Sequence, residues 1–219
     1  MEAKDIDFAA MPQMAVRILT APAESFRKMP PKGGFLEPLI FAGVMGFTAS
    51  IIQAIWSLLG FGYDGRAQSG LAWIFLSIIF MPVILVVCSF IGAAIVFFIW
   101  KLMGSKQNYE ASYRCMAYLM AVAPLIAIIE VVPYAGIILS FIIATFYILI
   151  VSTEVHRISV RKALLVFGII GLALTVLSLY SEYSVRNPTT EQVRKAAEET
   201  ARQYQRHIDE TRKQAERNK

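Results

Sequence analysis

The chain has 219 residues, 57% of them hydrophobic and 17% charged, with a formal net charge of +5 and a mean hydropathy of +0.56. Soluble globular domains carry about 45–50% apolar and about 25% charged residues, so this composition excludes an ordinary water-soluble domain. The positive charge does not indicate nucleic acid, because the basic residues flank apolar runs or alternate with acids near the C-terminus, where anchoring and topology account for them.

In chain order, residues 1–13 are expected to be loosely held. Residues 14–30 read MAVRILTAPAESFRKMP, too short and too charged to cross a bilayer. Met14, Ile18 and Leu19 share one helical face, Phe26 and Met29 another after Pro22, and Arg17, Arg27 and Lys28 fall on the water side. That pattern predicts one or two short interfacial helices in the headgroup region, with an unstructured lead-in as the alternative. The run Pro30-Pro31-Lys32-Gly33-Gly34 ends any helix there. No apolar stretch precedes residue 35, so no cleavable signal peptide is expected and the first membrane helix is expected to remain.

A span needs about 20 predominantly apolar residues. Residues 36–61 meet that, with one internal amide at Gln53; residues 71–100 exceed it, so Pro82 kinks this helix or the helix tilts. Residues 112–130 form a third span closed by Glu130, and Pro133 turns the chain into a fourth at 134–152. A single long helix broken at Pro133 is the less economical arrangement. A fifth span covers 162–180, with Tyr180 and Tyr183 at the level of an aromatic belt. The predicted fold is all-α, a polytopic bundle of five membrane helices at 36–182, with an N-terminal segment at 1–35 and a charged C-terminal helix at 183–219.

The tail has its own signals. Asn187-Pro188 and the box Thr189 to Gln192 start a helix, and Glu191–Lys195, Glu198–Arg202 and Asp209–Lys213 are acid-before-base pairs four apart. Ala197, Ala201, Tyr204 and Ile208, followed by Thr211 and Ala215, keep heptad spacing and predict a weak coiled-coil seam between copies of the chain; a lone solvated helix is the alternative.

Charge sets the orientation. With the N-terminus inside, Arg17, Arg27, Lys28, Lys32, Lys101, Lys106, Arg114, Arg157, Arg161 and Lys162 fall on the cytoplasmic side. Arg66, Arg186, Arg194 and Lys195 fall on the other, and ten against four favours N-inside, C-outside. Ala42, Gly46 and Ser50, with Gly92 to Ala94 and Gly168 with Gly171, mark places where helices approach closely.

Reactive chemistry is not indicated. No phosphate-binding loop, dinucleotide fingerprint or H-E-x-x-H motif occurs. His156 belongs to a loop and His207 to the polar tail, neither with metal-ligand spacing, and Cys88 and Cys115 read as small apolar residues. No metal and no cofactor is expected. The polar groups near the membrane are Gln53, Glu130 and Tyr147. Each reads first as an interfacial group or an interhelical hydrogen bond, and second as part of a polar path for an ion or solute.

Three segments stand out together: ILTAPAESF at 18–26; Gly104-Ser105-Lys106 through Tyr113 with Ala117-Tyr118 and Ala123-Pro124; and Pro133, Gly136 and Tyr147 with Arg157-Ile158-Ser159 and Lys162-Ala163-Leu164. In their order and spacing they resemble the Yip-domain family, membrane proteins named for interacting with Ypt/Rab GTPases. The likeness covers roughly residues 15–180. It implies five spans, a cytoplasmic N-terminus, a C-terminus across the membrane, and protein partners. The short N-terminal segment and the charged tail depart from the trafficking members and look more like a bacterial member. The expected function is a non-enzymatic scaffold or interaction protein of a bacterial inner membrane, a homo-oligomer in contact with lipid. The alternative is a transporter or channel subunit using Glu130 or Gln53, and a third reading is a membrane-shaping protein.

Overall fold

A computed structural model describes residues 10–30, 32–61 and 71–217, and among them every regular element is helical. The start of the lead-in, 1–9, and the connection 62–70 with Arg66 lie outside the described residues. The helices are α1 (Met11–Thr20), α2 (Pro22–Arg27), α3 (Leu36–Leu58), α4 (Leu71–Leu102), α5 (Tyr109–Leu119), α6 (Ala123–Ile129), α7 (Ala135–Glu154), α8 (Val160–Arg186) and α9 (Thr190–Arg217). The chain forms two compact units, Met1–Leu179 and Tyr180–Lys219.

Four stretches are long and apolar enough to cross a membrane: Leu36–Leu58, Tyr109–Ile129, Ala135–Glu154 and Val160–Arg186. Helix α4 has 32 residues and runs without interruption through Pro82; Val86–Leu102 is its shorter apolar stretch among the described residues. Along α4, Ile84, Val87, Ile91, Ile95 and Phe98 stand exposed, one every three or four residues. Soluble monomers rarely expose contiguous apolar stripes of that size, whereas lipid accommodates them.

Local chemistry explains where these helices start and stop. Asn108 caps α5, its side chain accepting the Ala111 N–H at 3.0 Å, which moves the start of this span to Tyr109 from the expected residue 112. The span is not one smooth helix. Met120–Val122 is a 3₁₀ turn between α5 and α6, because Pro124 has no N–H to donate to the preceding turn. Helix α7 begins at Ala135, since Tyr134 sits at φ 58° and cannot belong to a right-handed helix. Helix α8 reaches Arg186, past the expected end at residue 180.

Small residues bring the first helices together. Ala42 on α3, Ala93 on α4 and Ala117 on α5 are buried around Tyr113, and Gly46 and Ser50 continue the buried stripe of α3. At the other end of the α6–α7 hairpin, Gly136 lies so close to the chain before it that a Cβ there would stand 2.6 Å from the Ile129 carbonyl oxygen. Only glycine fits.

The N-terminal helices differ from expectation in two respects. Met11 to Gln13, expected to be loose, form the first turn of α1 with Pro12 at its start. The apolar face of α1, Met11, Ala15 and Ile18, is buried in protein, as is Phe26 of α2. All four join a core with Phe41, Met45, Tyr118, Tyr147 and Val151. A face with that periodicity satisfies either lipid or a bundle, and here the bundle takes it. Arg17, Arg27 and Lys28 remain exposed.

Candidate functional site at the loop-bearing end of the bundle

The start of α3, the end of α4, the start of α5 and the end of α7 meet the N-terminal helices at one end of the bundle. Named side chains hold them there. Arg27 of α2 donates from Nε and Nη2 to the Glu154 carboxylate of α7 at 2.7 and 3.1 Å. Tyr147 donates its hydroxyl to the Leu19 carbonyl at 3.0 Å, tying the α1–α2 junction to α7. Glu110 accepts the N–H groups of both Gly33 and Gly34 at 2.8 Å, which needs consecutive amides turned toward one oxygen. Gly34 has φ +83°, a conformation that β-carbon-bearing residues rarely adopt.

Arg114 lies beside this loop, only 2% exposed. Its Nη1 donates to the Gly34 carbonyl at 3.0 Å and its Nη2 to the Tyr118 hydroxyl at 3.3 Å. The Glu37 carboxylate stands 4.0 Å away and is half exposed, while Arg114 Nε is buried without a hydrogen-bond partner. Arg114 therefore does not act as a free anchoring cation. It is a buried charge whose nearest counter-ion is distant and wet, an arrangement that costs free energy unless further contacts compensate.

A second buried group joins α4, α7 and the loops after them. The Trp100 and His156 rings stack with centroids 3.7 Å apart, and Trp100 Nε1 donates to Ser152 Oγ at 2.8 Å. Ser105 Oγ lies 2.8 Å from His156 Nδ1 and accepts the Gln107 N–H at 3.2 Å. The Gln107 side-chain amide donates to the Val155 carbonyl at 3.1 Å. His156 Nε2 is buried and unpartnered, and burial, reinforced by the Lys101 charge, pushes the His156 pKa down to about 3. The ring is neutral over the physiological range. Its arrangement joins helices and offers no open position for a substrate.

The three residues expected to line a polar path are not brought together. Tyr147 is committed to Leu19. Gln53 is exposed on the side of α3. Glu130 caps the C-terminus of α6, half-buried, at the hairpin end of α7, whereas Tyr147 lies some three turns further along that helix. Among the described residues, no group of three or more His, Cys, Asp or Glu could hold a metal.

In the tail, α9 is a single helix and Ala197, Ala201, Tyr204 and Ile208 are all exposed. Glu198 pairs with Arg194, four residues before it, at 3.7 Å, in the opposite order to the expected Glu198–Arg202 pair.

Sequence reasoning missed Arg114, Glu110 and the Trp100–His156 pair as structural groups. Arg114 counted only toward topology, and His156 only as a loop residue. One signal was present: an arginine five residues inside a capped apolar helix, within a Tyr113-Arg114-Cys115 run, is too deep for a surface anchor.

The Yip1 domain matches this chain over residues 16–181. No curated protein and no solved structure matches it.

Proposed function

The chain belongs to the Yip1-domain family, and on that premise we propose that it is a non-enzymatic membrane scaffold whose loop-bearing end is a preformed platform for a protein partner. One observation carries this reading: the N-terminal helices and three loops are joined by side-chain ties into one fixed surface that presents Arg17, Arg27, Lys28 and Lys106 outward. A prearranged surface loses less conformational entropy on binding than a flexible one. The buried polar groups serve the bundle itself, which supports a binding role over catalysis.

In this reading α4 completes a set of five spans, N-inside and C-outside, in a bacterial inner membrane. The N-terminal helices and the ends of α3, α4, α5 and α7, with their adjoining loops, carry eight of the ten cations assigned to the cytoplasm (Arg17, Arg27, Lys28, Lys32, Lys101, Lys106, Arg114 and Arg157), which supports the orientation. Copies associate through α9, whose Tyr204 and Ile208 are exposed within one chain.

The test is affinity capture from native membranes, compared with flux in proteoliposomes. Capture of a partner that is lost on charge reversal of Arg17 and Lys28, with Arg27 left in place, supports the scaffold. Ion or solute flux that disappears in Glu130→Ala or Gln53→Ala overturns it in favour of transport.

A further inference from the structure

A cavity of about 330 Å³ lies between the N-terminal helices and the bundle, and Arg114 forms part of its wall. Its charged lining is Arg17, Lys28, Arg114, Glu24 and Glu37, three cations against two carboxylates. Glu24 is already engaged by Lys28 at 2.5 Å, and Glu37 stands 4.0 Å from Arg114. Arg114 lines the cavity almost wholly buried, its Nε buried and unpartnered and its charge faced by Glu37 at 4.0 Å. The remaining wall is apolar and comes mainly from Met14, Ile18, Phe26 and Met29.

We infer that this cavity binds a phosphoester carried on an apolar tail, the chemistry of an anionic lipid headgroup. The guanidinium of Arg114, with Arg17 at the mouth, supplies the planar donors that suit phosphate oxygens. The methionine, isoleucine and phenylalanine side chains supply a wall along which an acyl chain can leave. The volume holds a glycerophosphate group and excludes a whole lipid, so the chains must lie outside. The position fits as well. The cavity adjoins Glu37 in the first turn of α3, where that span begins and where headgroups stand. An anion here would add to the compensation that Glu37 and Glu110 give the Arg114 charge.

The test uses the full chain, stripped of lipid in a neutral detergent. Phosphatidylglycerol or phosphatidylcholine is added back in mixed micelles, and retained lipid is counted by native mass spectrometry. Glycerol 1-phosphate, titrated separately, carries the same group without the tail. The wild-type chain should retain phosphatidylglycerol about tenfold better than phosphatidylcholine, the scale of one or two charge-assisted hydrogen bonds. Arg114→Gln should abolish the preference. Because that variant also loses fold contacts, Arg17→Gln carries the test independently. The Arg17 side chain is exposed, and the contacts with α2 use its backbone carbonyl, so R17Q should fold normally and lose several-fold in preference. Tighter binding of phosphatidylglycerol than of glycerol 1-phosphate identifies the source as lipid. The reverse identifies a soluble phosphoester at the same subsite. Equal retention of both lipids with no binding of glycerol 1-phosphate, or a preference unchanged in both variants, overturns the inference.

Discussion

The two ends of the helix bundle are held by different means. At the loop-bearing end, Arg27, Tyr147, Glu110, Arg114 and the Trp100–His156 pair tie five helices together through side chains. At the opposite end the described connection is the Glu130–Tyr134 turn, held by backbone hydrogen bonds and by the close approach of Gly136 to Ile129, with Trp56 Nε1 donating to the Ala127 carbonyl. One end is a polar surface with a fixed shape. The other is a tight return of the chain. The difference shows where this molecule has invested in a specific surface: a return needs only to be short, whereas so many ties across separate helices maintain a defined arrangement.

Substitutions at the two ends should therefore fail differently. The largest effect is expected at Arg114: Arg114→Ala removes a buried side chain and leaves the Gly34 carbonyl without its donor, at a cost of about 3 kcal/mol in chemical denaturation. At the other end Gly136→Ala forces a Cβ onto the Ile129 carbonyl, costing about 1–3 kcal/mol in the same assay. The two should differ in reach. Arg114→Ala loosens α1 and α2, while Gly136→Ala leaves their hydrogen exchange unchanged.

Acid gives a probe specific to the loop-bearing end. His156 is buried and neutral, with a folded pKa of about 3 against an ordinary value near 6.5. Between those values the unfolded chain binds a proton that the folded chain does not, so stability falls as pH falls. The loss from this group between pH 7 and pH 5 should be about 2 kcal/mol, and His156→Gln should flatten that part of the profile. Smaller effects follow. Tyr147→Phe deletes one interhelical bond and should cost about 0.6 kcal/mol, with faster exchange in α1. Arg27→Gln breaks an ion pair whose arginine is 61% exposed, and should have the smallest effect on stability, vanishing in high salt.

The spans were legible because an apolar run of 20 residues has few other uses. The start of α3 at Leu36 matches, and α7 is displaced by one residue at its start and two at its end. Errors arose where one side chain decided the boundary. Asn108 capping moved α5, and the φ of Tyr134 moved α7. The site was much less legible. Met14, Ile18 and Phe26 carry the same periodicity whether lipid or protein covers them, so sequence located the helices without their burial. Gly33-Gly34 reads as a helix breaker, and its role as a paired donor depends on Glu110, 76 residues from Gly34. Charge counting treats Arg114 like Lys106, although one is buried and the other exposed. Contacts between residues so far apart in the chain leave no periodic trace.

The central claim is that α1 and α2 are a fixed part of the bundle. Hydrogen–deuterium exchange of the full chain in nanodiscs tests it most directly, because helices of 10 and 6 residues do not persist alone in water. The claim predicts that the amides of Ile18 to Thr20 and of Phe26 exchange slowly, close to those of Tyr147 to Val151, and that Tyr147→Phe accelerates the first set alone. Complete exchange of residues 15–27 within seconds, with α7 still protected, would contradict it.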